Sequence, residues 1–333
     1  MTAVRPVCVI GLGLIGGSVL RAAGAAGREV WGATAAEADV EAARADGFTV
    51  ESTVDEALVR AGAAGALVVV AVPLPAVDGV LRRVAELAPD CMLTDVVSVK
   101  APVLAAVRRM LPRTRYAGGH PMAGAAVSGW PAGSATLFDG ASWAVTVEPD
   151  TDLAVWREVA ELALDGGARV VPATAAEHDA AVARISHLPH VLAAVLAATG
   201  ADGGPLALTL AAGSFADGTR VAGSRAELVL AMCEGNLNPL LAAVDDALGR
   251  LGVARGALAS TGSLRATVTS GNAGRAALQA HRTGERIPTK VDLTGPRVHE
   301  ELAAVGRRGG WITGFQADMA LAELPFPMAT PGT

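Results

Sequence analysis

Hydrophobic and polar positions along this chain follow two different periods in succession. Through Pro172, apolar runs of strand length recur at residues 7–10, 29–32, 66–72, 92–95, 116–118, 142–147 and 169–171, alternating with stretches of helical spacing. Such alternation predicts a mostly parallel sheet with helices on both faces, an α/β Rossmann-like doubly wound fold over residues 1–172. From Thr174 the pattern changes to long Ala- and Leu-rich helical segments at 178–199, 205–212 and 226–251. These predict an all-α substrate and dimerisation domain over 173–286. Its helices are too apolar to stand alone, so they are expected to pack on one another and on a second copy of the chain as a homodimer. Beyond Arg286, strand signals at 289–293 and 311–315 flank a helical signal at 297–307, predicting a C-terminal appendage over 287–333 with a short βαβ unit and a disordered tail.

Composition narrows the class. With 333 residues and 51% hydrophobic content, the chain is long enough to bury two cores. A formal charge of −6, no basic stripe and few aromatics argue against a nucleic-acid partner. The uncharged apolar stretch 61–77 is shorter than a membrane span and contains Pro73 and Pro75, so it reads as a buried strand. Cys8, Cys91 and Cys233 lie far apart without metal-ligand spacing, which fits a reduced cytoplasmic chain with no metal.

The first strand signal runs directly into Gly11-Leu12-Gly13-Leu14-Ile15-Gly16 and then into a small-residue helix. Strand, tight turn and helix in that order let backbone N–H groups meet a pyrophosphate at a helix N-terminus, so Gly11, Gly13, Leu14, Ile15 and Gly16 are candidate dinucleotide contacts. Val72 and Pro73 end the strand that meets the cofactor. Thr34 stands where an NAD-preferring site usually carries an acid for the ribose hydroxyls, with no arginine beside it to hold a 2′-phosphate. NAD and NADP both remain open. A signal peptide is the rival reading of this segment, and Arg21 and the glycines argue against it.

Four further clusters carry chemistry. Ser98 follows a strand, where residues of an open parallel sheet face the ligand crevice; Asp95 and Lys100 are expected to order its turn, and helix capping by Asp95 or Ser98 is the alternative. His120, flanked by glycines and Pro121, is placed after a short strand and is suited to accept a hydroxyl proton beside a nicotinamide. His187 and His190 share a helical segment, and without a third ligand a metal site is not expected. Arg220 joins two apolar helices and could bind a substrate carboxylate, or pair internally with Asp217 or Glu227.

In order and separation these clusters resemble the prephenate/arogenate dehydrogenase family of tyrosine biosynthesis. The resemblance is carried by VIGLGLIGGS, TDVVSVK, GGHPMAG followed by LFDGASW, HDAAVARISHLPH and SFADGTRVA, and covers about residues 7–240. It implies an NAD(P)-dependent oxidative decarboxylation, prephenate to 4-hydroxyphenylpyruvate, in which hydride leaves the ring carbon bearing the hydroxyl. His120 would accept the ring hydroxyl's hydrogen bond and Ser98 would orient it, the catalytic pair. Arg220, His190, His187 and Asp217 would be the substrate-binding group. Three departures from the family pattern are present: Ala125 and Ala126 replace a Thr and a Glu, Ala216 replaces a basic residue, and Thr34 replaces the ribose-binding acid. The first two leave arogenate, or an amino-substituted prephenate of specialised metabolism, as alternative substrates. A nucleotide-binding sensor without catalysis is the alternative of another class.

Overall fold

The computed structural model describes residues 4–124 and 127–326; Ala125, Ala126 and the tail expected to be disordered lie outside the described residues. Among the described residues two compact units are present, one from residue 4 to 178 with 288–324, the other of 179–287 with 325–326.

The first unit opens with β1 (Val7–Ile10), α1 (Leu14–Ala25), β2 (Val30–Ala33), α2 (Glu37–Ala45), α3 (Val54–Ala64), β3 (Leu67–Val70), α4 (Leu74–Leu87), β4 (Met92–Asp95) and α5 (Ala101–Met110). The four strands form a parallel sheet in the order β2-β1-β3-β4, with Val7 opposite both Val30 and Leu67. Strands β1 and β3 are buried along their whole length, which is why they read as continuous apolar runs. Successive side chains alternate between faces. Val7, Val9, Leu67 and Val69 join a core with Leu20 of α1, while Cys8, Ile10, Val68 and Val70 pack with Leu58 of α3 and Leu81 of α4.

Beyond α5 strand pairing becomes mixed. The next elements are β5 (Gly119–Pro121), β6 (Ser142–Thr146), α6 (Leu153–Asp165), β7 (Arg169–Ala173) and α7 (Ala175–Val182). Strand β5 runs antiparallel to β6, and β6 parallel to β7. The strand expected at 116–118 is instead β5, three residues on, and Tyr116 keeps only an isolated bridge to Leu93. His120 therefore sits within a strand, opposite Ala144, rather than after one.

The second unit is helical: α8 (Leu188–Asp202), α9 (Gly204–Thr209), α10 (Gly213–Thr219), α11 (Ala226–Gly235), α12 (Leu237–Thr261) and α13 (Arg265–Thr283). The helix expected over 226–251 is broken at Asn236, whose backbone (φ −117°, ψ 37°) ends α11 and starts α12. Between α7 and α8 the backbone forms a π turn over Ala183–His187. Residues 175–202 are helical throughout and, by length and composition, apolar enough to cross a membrane, although they include Arg184 and three histidines.

After α13 come β8 (Arg286–Asp292), α14 (Val298–Arg307), β9 (Trp311–Gln316) and β10 (Met319–Pro325). Sequence periodicity suggested a separate appendage here, but residues 288–324 belong to the first unit. Strand β9 pairs antiparallel with β7 through Val170 and Ile312, giving a six-stranded mixed sheet in the order β5-β6-β7-β9-β10-β8. Val298, Leu302, Ala303 and Val305 of α14 are buried in the same core as Val145 and Val170. Burying those four apolar side chains is the physical reason this segment is not independent.

Candidate functional site

The glycine turn of the first unit is shaped by contacts that exclude side chains. Gly11 has φ +101°, a left-handed conformation, and a methyl there would lie 2.5 Å from the Ala71 carbonyl oxygen and 3.1 Å from Val72 Cγ1. A methyl on Gly16 would run into the Gly11 carbonyl and lie 2.8 Å from Ala71 Cβ. Gly13 differs: a methyl there would meet no atom within 4 Å, and Gly13 precedes α1 without any side-chain cap. The first-turn N–H groups of α1, beginning at Leu14 and Ile15, are therefore open to an anionic group that could approach the bare Cα of Gly13. These residues fit a dinucleotide pyrophosphate. Val72 and the exposed Pro73 follow β3, with Pro73 starting α4. Thr34 directly follows β2 and bonds locally, Oγ1 accepting from Ala36 N–H at 3.5 Å.

The turn after β4 rests on a buried charged network. Asp95 is 1% exposed and Lys100 fully buried, and the two form an ion pair. Asp95 Oδ1 also accepts from Val97 N–H at 2.8 Å, Asp95 Oδ2 accepts from the Tyr116 hydroxyl at 2.6 Å, and Lys100 Nζ donates to the Gly119 carbonyl at 2.6 Å. One lysine thus links the turn bearing Ser98 to the strand bearing His120. Gly119 makes the approach possible, because a methyl there would sit 2.7 Å from the Asp95 carbonyl oxygen. Ser98 is half-buried and lies two residues before Lys100, the residue at the capping position of α5.

His120 has a partner that sequence reasoning missed. Its Nδ1 lies 2.9 Å from Nε2 of His178, with ring centroids 5.1 Å apart at 71°. His178 is 5% exposed and sits on the first turn of α7. That turn is held by a capping box: Thr174 N–H donates to Glu177 Oε2 at 2.9 Å, and Glu177 N–H donates to Thr174 Oγ1 at 3.2 Å. Burial pushes the Glu177 carboxyl upward, but the Thr174 N–H, Arg307 and the Thr174 hydroxyl outweigh it and hold the group below the usual carboxylate value. The sequence carried the signal, a Thr-x-x-Glu start followed at once by a histidine, but only the fold brings residue 178 to residue 120. Two tautomers satisfy the contact. Only the one in which His120 Nδ1 donates leaves His120 Nε2 with a lone pair.

The remaining candidates belong to the helical unit. His187 is fully buried within the π turn, whereas His190 is half-buried on α8 with its Nδ1 buried and without a hydrogen-bond partner among the described residues. A nitrogen in that state is costly unless a ligand or water completes it. Asp217 and Arg220 are exposed at the end of α10 and the start of the short 3-10 turn after it. Among the described residues Arg220 forms no ion pair, so the internal pairing considered for it with Asp217 or Glu227 is not made. Helix α10 packs closely on α8: a methyl on Gly200 would lie 2.5 Å from Phe215 Cζ, and one on Gly218 would lie 2.9 Å from Leu196 Cδ2.

A parallel sheet that opens on a glycine cradle, a histidine pair in the same compact unit, and a helical unit rich in exposed leucines define a Rossmann-type protein with a separate all-α domain. The sequence comparisons specify it further. Residues 17–172 match the prephenate dehydrogenase nucleotide-binding domain and residues 174–261 the prephenate dehydrogenase dimerization domain. A cyclohexadienyl dehydrogenase of Zymomonas mobilis is 31% identical over 78% of this chain and 90% of its own length. The crystal structure of a proposed prephenate dehydrogenase of Corynebacterium glutamicum superposes with a TM-score of 0.80 at 44% identity, covering 84% of this chain and 89% of that one. A prephenate dehydrogenase of Lactococcus lactis is 31% identical over 66% of this chain, and the match spans only 61% of that relative's length. The chain belongs to the prephenate dehydrogenase family.

Proposed function

We propose that this chain is an NAD(P)-dependent dehydrogenase that decarboxylates prephenate oxidatively, and the observation that carries the reading is the His120–His178 pair. With His178 Nε2 accepting from His120 Nδ1, the other nitrogen of His120 takes the proton of the substrate hydroxyl. The imidazolium so formed keeps its Nδ1–H on a neutral acceptor, a bond strengthened by the new charge. His178 thus orients the base and helps carry its charge. Gly11, Gly13, Leu14, Ile15 and Gly16 would hold the dinucleotide phosphates, with Val72 and Pro73 beside them and Thr34 toward the adenosine ribose. NAD(P), when bound, supplies the hydride acceptor. Ser98 would hold the substrate hydroxyl and the nicotinamide in line with His120, while Lys100 and Asp95 keep its turn in place. Arg220 would bind a substrate carboxylate through its forked guanidinium, and His190 and Asp217 would offer polar groups to the rest of the substrate.

The relative named a cyclohexadienyl dehydrogenase supports arogenate as the second reading of the substrate. Formation of reduced nicotinamide from prephenate and from arogenate, each with NAD and with NADP, tests both choices. Turnover of prephenate is expected. Silence in all four pairings, with dinucleotide binding intact, would overturn the proposal.

The helical unit would act as a homodimer in the cytoplasm. Leu206, Leu210, Leu237 and Val253 are each more than 60% exposed in the single chain. A second copy would cover such surface. Light scattering at micromolar concentration should give twice the mass of the 33.4 kDa chain; a mass of one chain would refute the dimer.

A further inference from the structure

The break between α11 and α12 is made by a residue whose side chain does not perform its ordinary task. Asn at a helix start usually accepts a first-turn N–H. Asn236 makes no such cap. It is 2% exposed, and its Nδ2 instead donates to the Asp179 carbonyl at 2.8 Å and to His187 Nδ1 at 3.1 Å. Both partners bracket the π turn, in which Leu188 N–H reaches back five residues to the Ala183 carbonyl. Turns of this kind release a carbonyl from the regular ladder and insert one residue into the helix, which rotates everything after it.

The amide orientation is fixed by its two partners. Turning the group over would set Oδ1 against the Asp179 carbonyl, two acceptors in contact. Nδ2 therefore faces His187 as a donor, so His187 Nδ1 must be a bare acceptor and the ring proton must lie on Nε2. An imidazolium is excluded at this contact, because its Nδ1–H would face another N–H.

We infer that Asn236 is a positioning residue: it holds His187 in the neutral Nε2–H tautomer, clamps the π turn at the Asp179 carbonyl, and so fixes the helical register from which His190, three residues after His187, serves the substrate. The last step rests on the role proposed above for His190; the tautomer and the clamp do not. His187, being fully buried, acts here as part of the clamp and not as a substrate contact.

Nitrogen-15 NMR of the full chain labelled in its six histidines reads the tautomer directly. His187, assigned by the loss of its signal in His187→Gln, should show Nδ1 unprotonated and Nε2 protonated without substrate or cofactor. A proton on Nδ1 would overturn the proposal whether or not any variant folds. In Asn236→Ala the His187 signals should move away from that pattern, and the KM for prephenate should rise about tenfold, the loss of roughly one hydrogen bond's worth of positioning, with kcat within about twofold. A variant with unchanged His187 signals and unchanged KM would refute the clamp. If the wild-type protein turned over neither prephenate nor arogenate, the function proposed above would fail while the NMR result still decided the tautomer.

Discussion

Gly13→Ala separates a glycine needed for a ligand from glycines needed for the fold. At Gly11 and Gly16 an added methyl collides with backbone or Ala71, so a loss of binding there could follow from a damaged turn. At Gly13 the methyl meets nothing within 4 Å, and φ −71° and ψ −162° suit alanine. Stability should therefore change by no more than about 0.5 kcal/mol. If a pyrophosphate approaches this Cα, the methyl pushes it from the N–H groups of α1. Losing one hydrogen bond to a charged group costs about 1.5–3 kcal/mol, so the Kd for the preferred dinucleotide should rise roughly 10- to 100-fold. Fluorescence titration with reduced nicotinamide cofactor, beside thermal unfolding of the unliganded protein, measures both quantities. An unchanged Kd would refute the assignment of this turn as the cradle; a large fall in Tm would refute the claim that the space is open.

Three other outcomes are expected. His120→Asn should lower turnover by roughly two to four orders of magnitude at nearly unchanged dinucleotide affinity, and full turnover would show that His120 is not the base. Lys100→Met leaves Asp95 buried without its cation and should cost about 3–5 kcal/mol in urea unfolding, most of it recovered in the double variant with Asp95→Asn; additive losses would contradict the pairing. Because the Glu177 carboxyl lies below its ordinary value of 4.5 in the fold, its contribution to stability is complete above that pH and is lost as pH falls through the lower folded value. Urea midpoints of Glu177→Gln should accordingly lack part of the wild-type slope on the acid side, and identical slopes would argue against the capping box as its source.

The parallel half of the first unit was readable because its strands are buried on both faces and therefore unbroken in hydrophobicity. Strand β5 was misplaced by three residues: Gly119, His120 and Pro121 have no strand character of their own, and β6 and the Lys100 bond to Gly119 hold them there. The glycine cradle and Ser98 stand out in sequence because each comes just after a buried apolar strand, and His120 because of the glycines and proline around it. His178 and Asn236 do not. Each is defined by a partner some fifty residues away, at His120 and His187 respectively, and no local period reports such a meeting. Where the segment over 288–324 packs is hidden for the same reason, since its only local cue is an apolar face on α14.

The pairing of β9 with β7 bears on how the chain matures during synthesis. Val170 leaves the ribosome well before Ile312, and the entire helical unit is made in the interval. Until then β7 has only β6 beside it, and its other edge presents unpaired N–H and C=O groups to any strand that passes. A nascent chain stalled before residue 311 would carry that open edge, and the final strands act as its seal. Translation rate and chaperone supply over that interval should therefore govern the yield of intact protein more strongly than the stability of the finished fold.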